Sequence, residues 1–590
     1  MQDLASFYQN QIDKHTAALA HVKQQLGGSS VIRLLVFALT GLSMYLLFGN
    51  TKLVLGTLLL GIILFLFLVS RHTNLKYKRD KLLALKRINE TEKKVLQRDF
   101  HQLPDGTEFK NPEHYFSQDI DLYGKGSFYQ YSNRTVLPQG SKTLVSLYNE
   151  NQIDNISEKQ KAIHELGAMP EWRQEFSAIA SLTKTETTTE TIHKWLTSYS
   201  PFVPARMQHL PLVFSIISVG HFVLYFMGYV SGWLLLVQIL LGFIISGFFI
   251  KKITKLGLHG SKIQSTFEQY NKLLLIIENT NFQSSLLKEK QQLIVSEGRK
   301  NSSILEDFSK LLGNLDQNRN VFFLIIANGF FLRGIAISYQ IEQWIAKYGS
   351  SAKDWFDVVA FFDAFISLGT FAFNHPNYTF PKISTDQIVL KSMATGHPLI
   401  APEKSVLNDF QIDDEQFFIV TGANMAGKST FLRTVSLQIV MANIGLPVCA
   451  KEVTYNPIKL ITSMRTTDSL TDDESYFFSE LKRLKFIVDE IKKDRYFIVL
   501  DEILKGTNST DKAKGSRKFV EKLVGSKSTG IIATHDLSLC EVAKTFPQIE
   551  NHYFDAEIVD NELHFDYRFK KGICQNMNAS FLLKKMEIVD

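Results

Sequence analysis

The chain has 590 residues, too many for a single hydrophobic core, so we expect about two to four domains. Its formal net charge of +6 is a mild excess that does not by itself indicate a nucleic-acid-binding protein. Its three cysteines form no CxxC pair, which argues against a disulfide framework or a zinc site and favours a reducing compartment.

Apolar runs dominate the N-terminal half of the chain. Residues 1–30 are polar and predict an N-terminal amphipathic helix, without the basic start and small-residue cleavage site of a signal peptide. Four apolar runs follow in two pairs, and a turn of three residues joins each pair: 31–49 with 53–69, and 210–228 with 232–250. A helix needs about 20 mostly apolar residues to cross a bilayer, in which only helices and closed barrels satisfy their backbone groups. The pattern therefore predicts two transmembrane helical hairpins.

Basic residues flank both hairpins on one side. Residues 71–98 contain ten basic and three acidic side chains, and three lysines lie within 251–255 after the second hairpin, whereas the two turns contain only Lys52. By the positive-inside tendency, the turns face outward, and the termini and the ATPase domain described below are cytoplasmic, at the cell (inner) membrane. Two alternatives stay open: the runs are buried core helices of a soluble protein, or the basic stretch binds nucleic acid.

Two polar residues lie within the second hairpin, His221 and Gln238. Polar groups inside a membrane often serve a function, but a neutral imidazole and an amide also form hydrogen bonds between helices. We favour the structural interpretation for both residues.

The stretch FFIVTGANMAGKSTFLRTV runs from an apolar strand through a glycine-containing turn into a helix. It satisfies the pattern GxxxxGK[ST], in which backbone N–H groups and a helix N-terminus bind phosphate oxygens. Gly427 lets the backbone approach closely, Lys428 reaches the β- and γ-phosphates, and the Ser429 hydroxyl is a Mg²⁺ ligand. The predicted nucleotide-binding residues are Gly422, Ala423, Asn424, Met425, Ala426, Gly427, Lys428, Ser429 and Thr430.

Two further strands are predicted to bring catalytic groups to the same edge of a parallel sheet. The apolar run 496–500 ends in Asp501 and Glu502, and the run STGIIATHD delivers His535. We predict that Asp501 holds Mg²⁺, that Glu502 orients or deprotonates the attacking water, and that His535 senses the γ-phosphate. A structural role is the alternative for His535. Together these residues predict a Mg²⁺-dependent ATP hydrolase with Glu502, His535 and Lys428 as its catalytic residues.

The phosphate loop GANMAGKST resembles the loop GPNMxGKST of the MutS family of mismatch-repair ATPases. DEILKGTNSTD, which starts at Asp501, and ATHD at 533–536 are similar to the later ATPase motifs of that family. Upstream, 121–144 and 158–166 resemble the opening of its helical core or lever domain, and GHPLI at 396–400 resembles the approach to its ATPase domain, near the adenine. The resemblance covers roughly 110 to 590 and is interrupted by the second hairpin.

The resemblance implies a head-to-tail dimer in which a signature region of each subunit completes the ATPase site of the other. In this chain that region is DESYFFSEL, with Ser475, Phe477 and Glu480 at the matching positions. The sequence departs from the family at three positions: Asp473 replaces a glycine, Ala423 replaces a proline, and Lys512 replaces another glycine. The glycine replaced by Asp473 lies two residues before Ser475, so we expect an altered contact in trans to the γ-phosphate.

Two parts of the family pattern have no counterpart here. The residues before 100 are occupied by the predicted membrane helices, so they hold no N-terminal mismatch-reading domain. The stretch 253–345 is also short for the DNA-gripping clamp between two long helices. The resemblance therefore supports the ATPase and the lever, and does not support mismatch reading.

The predicted fold is an α/β P-loop ATPase domain of the ABC type at the C-terminus, preceded by an all-α lever or core region that two transmembrane hairpins interrupt. The predicted divisions are an N-terminal helix (1–30), hairpin 1 (31–70), a cytoplasmic helical region that is core-like from about 110 (71–209), hairpin 2 (210–250), a helical continuation (251–380) and the ATPase domain (381–590).

Three functions are compatible with these features. The first is a membrane-tethered homodimeric ATPase that uses ATP and Mg²⁺ and binds DNA in repair or recombination. The second is an ABC-like membrane mechanoenzyme that acts on a protein or membrane partner without DNA. The third is a scaffold with an inactive site, which is disfavoured because Lys428, Ser429, Asp501 and Glu502 are all present.

Overall fold

The computed structural model describes residues 2–182, 187–296, 299–317, 321–465, 476–504, 508–559 and 562–575. Within these residues the chain is mostly helical up to residue 374, and mixed sheets with flanking helices follow. The coarse prediction of a helical region followed by an α/β domain is confirmed.

The first two helices form a long pair, α1 (Gln2–Leu46) and α2 (Thr51–Leu96), joined by a short turn. In the turn, the side chain of Asn50 accepts a hydrogen bond from the Leu53 N–H (3.3 Å) and caps α2. At about 1.5 Å per residue, each helix is about 70 Å long. Because α1 runs through residue 30, the predicted amphipathic helix and the first apolar run form one continuous element.

The helical region continues with α3 (Phe128–Ser132), α4 (Pro138–Asn149), α5 (Ile156–Gly167), α6 (Pro170–Ser181), α7 (Thr189–Thr197), α8 (Leu210–Phe226), α9 (Gly232–Gly247), α10 (Ile250–Glu278), α11 (Ser285–Gln292), the short strands β1 (Val295–Ser296) and β2 (Arg299–Lys300), α12 (Asn301–Gln317), α13 (Val321–Phe331), α14 (Arg333–Tyr348) and α15 (Ala352–Asn374). The last of these, α15, packs against α4, α5 and α6. It is apolar on nearly all sides, with Trp355, Phe362 and Leu368 buried, as expected of a helix enclosed by others.

By length and composition alone, four helical segments of the described residues could cross a membrane: Asp3–Leu46, Thr51–Leu96, Ala205–Phe226 and Ala352–Asn374. The pair Gly232–Gly247 and Ile250–Glu278, which meet at a bend of 68°, adds a fifth candidate. The segment Ala352–Asn374 differs from the other three because 78% of its apolar window is buried inside the protein, so it is a core helix. The remaining candidates contain the four apolar runs of the sequence.

The structure adds an apolar helix that the sequence did not predict. α13 lies within the predicted helical continuation 251–380, yet it packs against α8 and α9 of the second hairpin. A Cβ on Gly242 would lie 2.1 Å from the carbonyl oxygen of Gly329, so the two backbones touch where α9 and α13 cross. Ser218 Oγ donates to the Phe330 carbonyl (2.7 Å) and accepts from Gln238 Nε2 (3.0 Å), so Gln238 forms the interhelical hydrogen bond that its structural interpretation predicts.

The strands of the C-terminal domain are β3 (Lys382–Ile383), β4 (Ile388–Thr395), β5 (Asn408–Asp413), β6 (Phe417–Gly422), β7 (Glu452–Tyr455), β8 (Lys459–Ser463), β9 (Tyr496–Asp501), β10 (Thr529–Ala533), β11 (Ile549–Phe554), β12 (Ala556–Val559), β13 (Glu562–Phe565) and β14 (Lys570–Lys571). Its helices are α16 (Lys428–Asn443), α17 (Tyr476–Glu490) and α18 (Ser509–Val524). The described residues form a six-stranded sheet in the order β14-β11-β6-β10-β9-β8, a four-stranded sheet in the order β3-β7-β4-β5, and the hairpin β12-β13.

Five strands of the six-stranded sheet run parallel, from β11 to β8. β6 is buried along its whole length, as expected of a central strand covered on both faces. β10 lies between β6 and β9, and Ala533 pairs with both Val420 and Asp501. The carboxyl ends of the three predicted strands therefore meet at one edge of the sheet.

Candidate functional site

The loop between β6 and α16 is the first part of the site. Gly422 and Gly427 have φ angles of 149° and 105°, which favour glycine. A Cβ at Gly422 would lie 2.6 Å from the Phe554 carbonyl oxygen, so this position also has no room for a side chain. The side chain of Met425 is exposed to solvent. The loop ends at Lys428, where α16 begins. Such a loop presents N–H donors to an anion.

Lys428 is buried at the base of this loop. Its ammonium donates hydrogen bonds to the carbonyl oxygens of Gly422 (2.7 Å) and Ala423 (3.0 Å). Burial lowers the pKa of Lys428, while the negative charges of Asp501 and Glu502 act in the opposite direction. The Lys428 ammonium therefore lies within reach of an anion bound to the N–H groups of the loop.

Ser429 and Asp501 meet across the end of the sheet. Ser429 Oγ donates to Asp501 Oδ2 at 2.6 Å, which joins the first turn of α16 to the end of β9. Hydroxyl and carboxylate oxygens are ligands that Mg²⁺ accepts, usually together with substrate phosphates and water. The described residues contain no group of three or more His, Cys, Asp or Glu side chains that could hold a metal ion, so a cation here needs further oxygens from a ligand.

Glu502 and His535 face each other beside Lys428. Glu502 has a φ of 53°, and its N–H donates to the Ala533 carbonyl (2.9 Å). His535 Nε2 lies 3.3 Å from Glu502 Oε1 and 3.3 Å from Lys428 Nζ. Burial and then the charge of Lys428 lower the pKa of His535, so the imidazole is neutral at pH 7. A neutral ring accepts from Lys428 or donates to Glu502, depending on its tautomer.

A cavity of about 350 Å³ opens beside the phosphate loop. Its lining includes Thr430 of α16, and His397 and Ile400 of GHPLI, the stretch whose resemblance placed it near an adenine. Burial lowers the pKa of His397 to about 4, so its ring is also neutral. Two aromatic residues of the wall, Phe554 and Tyr567, were not predicted: Phe554 ends a strand adjacent to β6, and no motif marks Tyr567. The volume is in the range of small-ligand sites.

The sequence of this domain matches the family model "MutS domain V" over residues 418–586.

The C-terminal domain of this chain is therefore a MutS-family domain.

The chain is also similar in sequence to known MutS proteins. The chain is 30% identical over 243 residues to MutS protein homolog 4 of Homo sapiens, an alignment that covers 39% of this chain and 25% of that protein. It is 31% identical over 216 residues to DNA mismatch repair protein MSH4 of Arabidopsis thaliana, with 35% and 27% covered. It is 31% identical over 202 residues to DNA mismatch repair protein MutS of Thermotoga neapolitana, with 33% and 25% covered. The chain thus spans about a quarter of the length of these MutS relatives.

The trans signature inferred from MutS proteins is only partly described. Ser475 lies outside the described residues, whereas Phe477 and Glu480 lie in the first two turns of α17. Glu480 is buried, and its carboxylate accepts a hydrogen bond from the Leu504 N–H. In this chain, Glu480 therefore faces the loop that follows Glu502 of its own subunit. A role for these three residues in a second subunit's site stays a prediction.

Proposed function

We propose that this chain, which carries a MutS-family domain, is a membrane-anchored, Mg²⁺-dependent ATPase that binds DNA in repair or recombination without a mismatch-reading domain. The observation that carries the enzymatic part is the convergence of Lys428, Ser429, Asp501, Glu502 and His535 at one edge of the sheet. Backbone N–H donors, a buried ammonium and paired oxygens form a set that suits a nucleoside triphosphate. We further propose that two copies pair through their ATPase domains, as the family resemblance implies.

The contacts of Lys428 give the order of events on binding. Its ammonium now bonds to two loop carbonyls, and it must release them to reach the β- and γ-phosphates. Ser429 and Asp501 would hold Mg²⁺ between them and the phosphates, and the bound ion would offset the charge of the triphosphate. The adenine would occupy the cavity lined by His397, Ile400 and Tyr567.

Glu502 is the proposed base. Its carboxylate takes a proton from the attacking water as the water oxygen bonds to the γ-phosphorus and the bond from that phosphorus to the β–γ bridging oxygen breaks. His535, 3.3 Å from Glu502, would orient that carboxylate and report on the γ-phosphate. The low pKa of His535 keeps its ring neutral, so protonated imidazole does not compete with Lys428 for the phosphate.

The membrane part of the proposal is supported by exposed apolar side chains. On the first hairpin Leu34, Phe37, Leu60 and Phe67 are all largely exposed, as are many of their neighbours. Contiguous apolar surface of this size is rare on soluble monomers, whereas lipid would cover it. We place the ATPase domain and both termini on the cytoplasmic side of the cell (inner) membrane.

DNA binding predicts a salt-sensitive stimulation of ATP hydrolysis. Duplex or branched DNA should raise kcat of the detergent-solubilised protein, and the effect should fade between about 50 and 200 mM salt because bound phosphates release counterions. The measurement is a steady-state ATPase assay against duplex, four-way junction and single-stranded DNA at fixed protein concentration. A rate that none of the three changes at low salt would contradict the DNA part and leave the ATPase part intact.

Two observations favour the alternative, an ABC-like mechanoenzyme that acts without DNA. Several of the basic residues in 71–98 bind their own chain: Arg79 pairs with Asp80, Lys81 with Glu175, Lys86 with Glu90, and Arg98 donates to two backbone carbonyls. These side chains are less available to phosphates than the sequence suggested. The long α1–α2 pair also connects the apolar hairpin to the core without a linker.

Spin-label distances test this alternative. With a label at Lys52, in the turn of the first hairpin, the distance between two copies in liposomes should shift when Mg-ATP is added to a Glu502→Gln background. A mechanoenzyme requires that shift in the absence of DNA, since the hairpins are what it moves. An unchanged distance distribution combined with DNA-stimulated hydrolysis would reject the alternative.

A further inference from the structure

Residues 115–123, here called the bridging segment, belong to the helical region but bind the C-terminal domain. The Tyr115 carbonyl oxygen accepts hydrogen bonds from the Thr462 N–H (2.9 Å) and from Arg483 Nη2 (2.6 Å). The Tyr115 ring stacks on Tyr496 of β9 with an interplanar angle of 8°. The segment is therefore attached to β8 and β9, two strands of the sheet that carries the site.

Asp119 is the buried anchor of the bridging segment. Its carboxylate accepts from Thr462 Oγ1 (2.5 Å) and from the Arg465 N–H (2.9 Å), and its carbonyl oxygen accepts from Arg433 Nε (3.2 Å). Replacing Asp119 would leave buried donors without partners, so loss of function in such a variant would not separate folding from positioning.

Asp121 is the exposed arm of the same segment. Its two carboxylate oxygens each accept one nitrogen of the Arg465 guanidinium, at 2.6 and 2.8 Å, and Arg433 Nη1 lies 3.5 Å from Asp121 Oδ2. The side chains of Asp121 and Arg465 are 44% and 42% exposed. A half-exposed pair of this kind adds little to stability, but its two-point geometry fixes direction.

The two arginines belong to different functional parts of the ATPase domain. Arg433 lies in α16, one turn after Thr430 of the phosphate loop. Arg465 follows β8, and the Thr462 carbonyl of β8 accepts hydrogen bonds from Arg483 of α17, the helix that carries Phe477 and Glu480 of the predicted trans signature. The bridging segment thus contacts the helix that would hold the phosphates, α16, and the end of β8, to which α17 is bonded.

We propose that Asp121 is a positioning residue: through Arg465 it sets the end of β8, and with it α17, relative to the phosphate-binding helix α16, so hydrolysis at paired sites depends on a residue of the helical region. This inference rests on the proposed ATPase function. Because the bridging segment belongs to the helical region, a displacement of the helical region would reach both arginines at once. Asp121 would therefore act on kcat, since ATP contacts the phosphate loop and not Asp121.

The test compares Asp121→Asn with Arg465→Gln in the full-length protein in detergent. Asp121 has a φ of 51°, which asparagine tolerates well, so this variant keeps the backbone. We expect kcat for Mg-ATP to fall by about ten- to a hundredfold, as for a displaced catalytic group, while KM for ATP stays within about twofold. The double variant should be no slower than the slower single variant, because each change already disrupts the shared Asp121–Arg465 contact.

Asp414→Asn is the matched control. Asp414 pairs with Arg495 at 3.0 Å in the same domain, and both side chains are 31% exposed. If Asp121→Asn and Arg465→Gln lower kcat no more than Asp414→Asn does, the inference is overturned. Additive losses in the double variant, or a rise in KM with kcat unchanged, also overturn it. A wild-type protein that hydrolyses no ATP would instead refute the proposed function, and this inference with it.

Discussion

Glu502→Gln is expected to lower kcat for ATP hydrolysis by about 10²- to 10³-fold while Mg-ATP still binds. Glutamine keeps the shape of the side chain and its distance to His535, but an amide cannot accept the proton of the attacking water. ATP should therefore stay trapped, and the paired ATPase domains should dissociate more slowly. Single-turnover hydrolysis measures the chemical step, equilibrium binding of a fluorescent ATP analogue measures affinity, and size-exclusion chromatography with Mg-ATP measures the dimer.

Two further variants serve as controls for Glu502→Gln. Lys428→Ala removes the only side-chain cation that the described residues place in hydrogen-bonding contact with the phosphate loop, so it should lose ATP binding as well as turnover. Glu541→Gln removes a surface carboxylate that pairs with Lys544 in the same domain, and it should leave kcat unchanged. Normal turnover in Glu502→Gln would show that another group takes the proton, and His535 would be the next candidate.

Arg134→Ala is expected to destabilise the attachment of α2 to the helical core by about 3–5 kcal/mol. Arg134 Nε donates to Glu92 Oε1 at 2.5 Å, and the side chains of Arg134 and Glu92 are 12% and 4% exposed. Asn374 of α15 donates to the other carboxylate oxygen (2.8 Å). Truncating Arg134 leaves the buried Glu92 carboxylate with Asn374 as its one hydrogen-bond donor among the described residues, which is the costly case. Hydrogen exchange of α15 amides across a denaturant series measures the free energy of local opening.

A double-mutant cycle separates this pair from general packing loss. Glu92→Ala combined with Arg134→Ala should cost less than the sum of the two single changes, because no unpaired charge is then left inside. Lys142→Ala is the control. Lys142 pairs with Glu190 between α4 and α7, and both side chains are mostly exposed. In this variant the free energy of local opening of α15 should not change measurably. A loss below about 1 kcal/mol for Arg134→Ala would mean that water or another group compensates Glu92.

The site was the most predictable part of the molecule. The spacing of Gly422, Gly427 and Lys428 specifies a strand, a loop and a helix, and apolar runs that end in acidic residues predict neighbouring strand ends. The parallel register of β6, β10 and β9 confirms that geometry. Local motifs succeed here because the chemistry requires fixed residues at fixed distances along the chain.

Long-range contacts could not be predicted in the same way. Nothing in the sequence of residues 115–123 indicates that Asp119 and Asp121 bind arginines more than 300 positions away, because such a contact depends on how two domains pack. The apolar helix α13 has only 11 residues, which is shorter than a spanning helix needs, so its sequence does not indicate a membrane segment. The cavity residues Phe554 and Tyr567 likewise reach the phosphate loop only through the fold.

The unbroken helix α1 fixes the distance between two points of the protein. Near one end Tyr8 donates a hydrogen bond to Asn374 of the core helix α15 (2.6 Å), and the apolar stretch begins at Val31. At about 1.5 Å per residue, these points are about 35 Å apart along the helix. If the bilayer begins at Val31, the contact of Tyr8 with α15 lies about 35 Å from the lipid headgroups, measured along α1. Because α1 has no break between these two points, the protein itself sets this distance, and no flexible linker can change it.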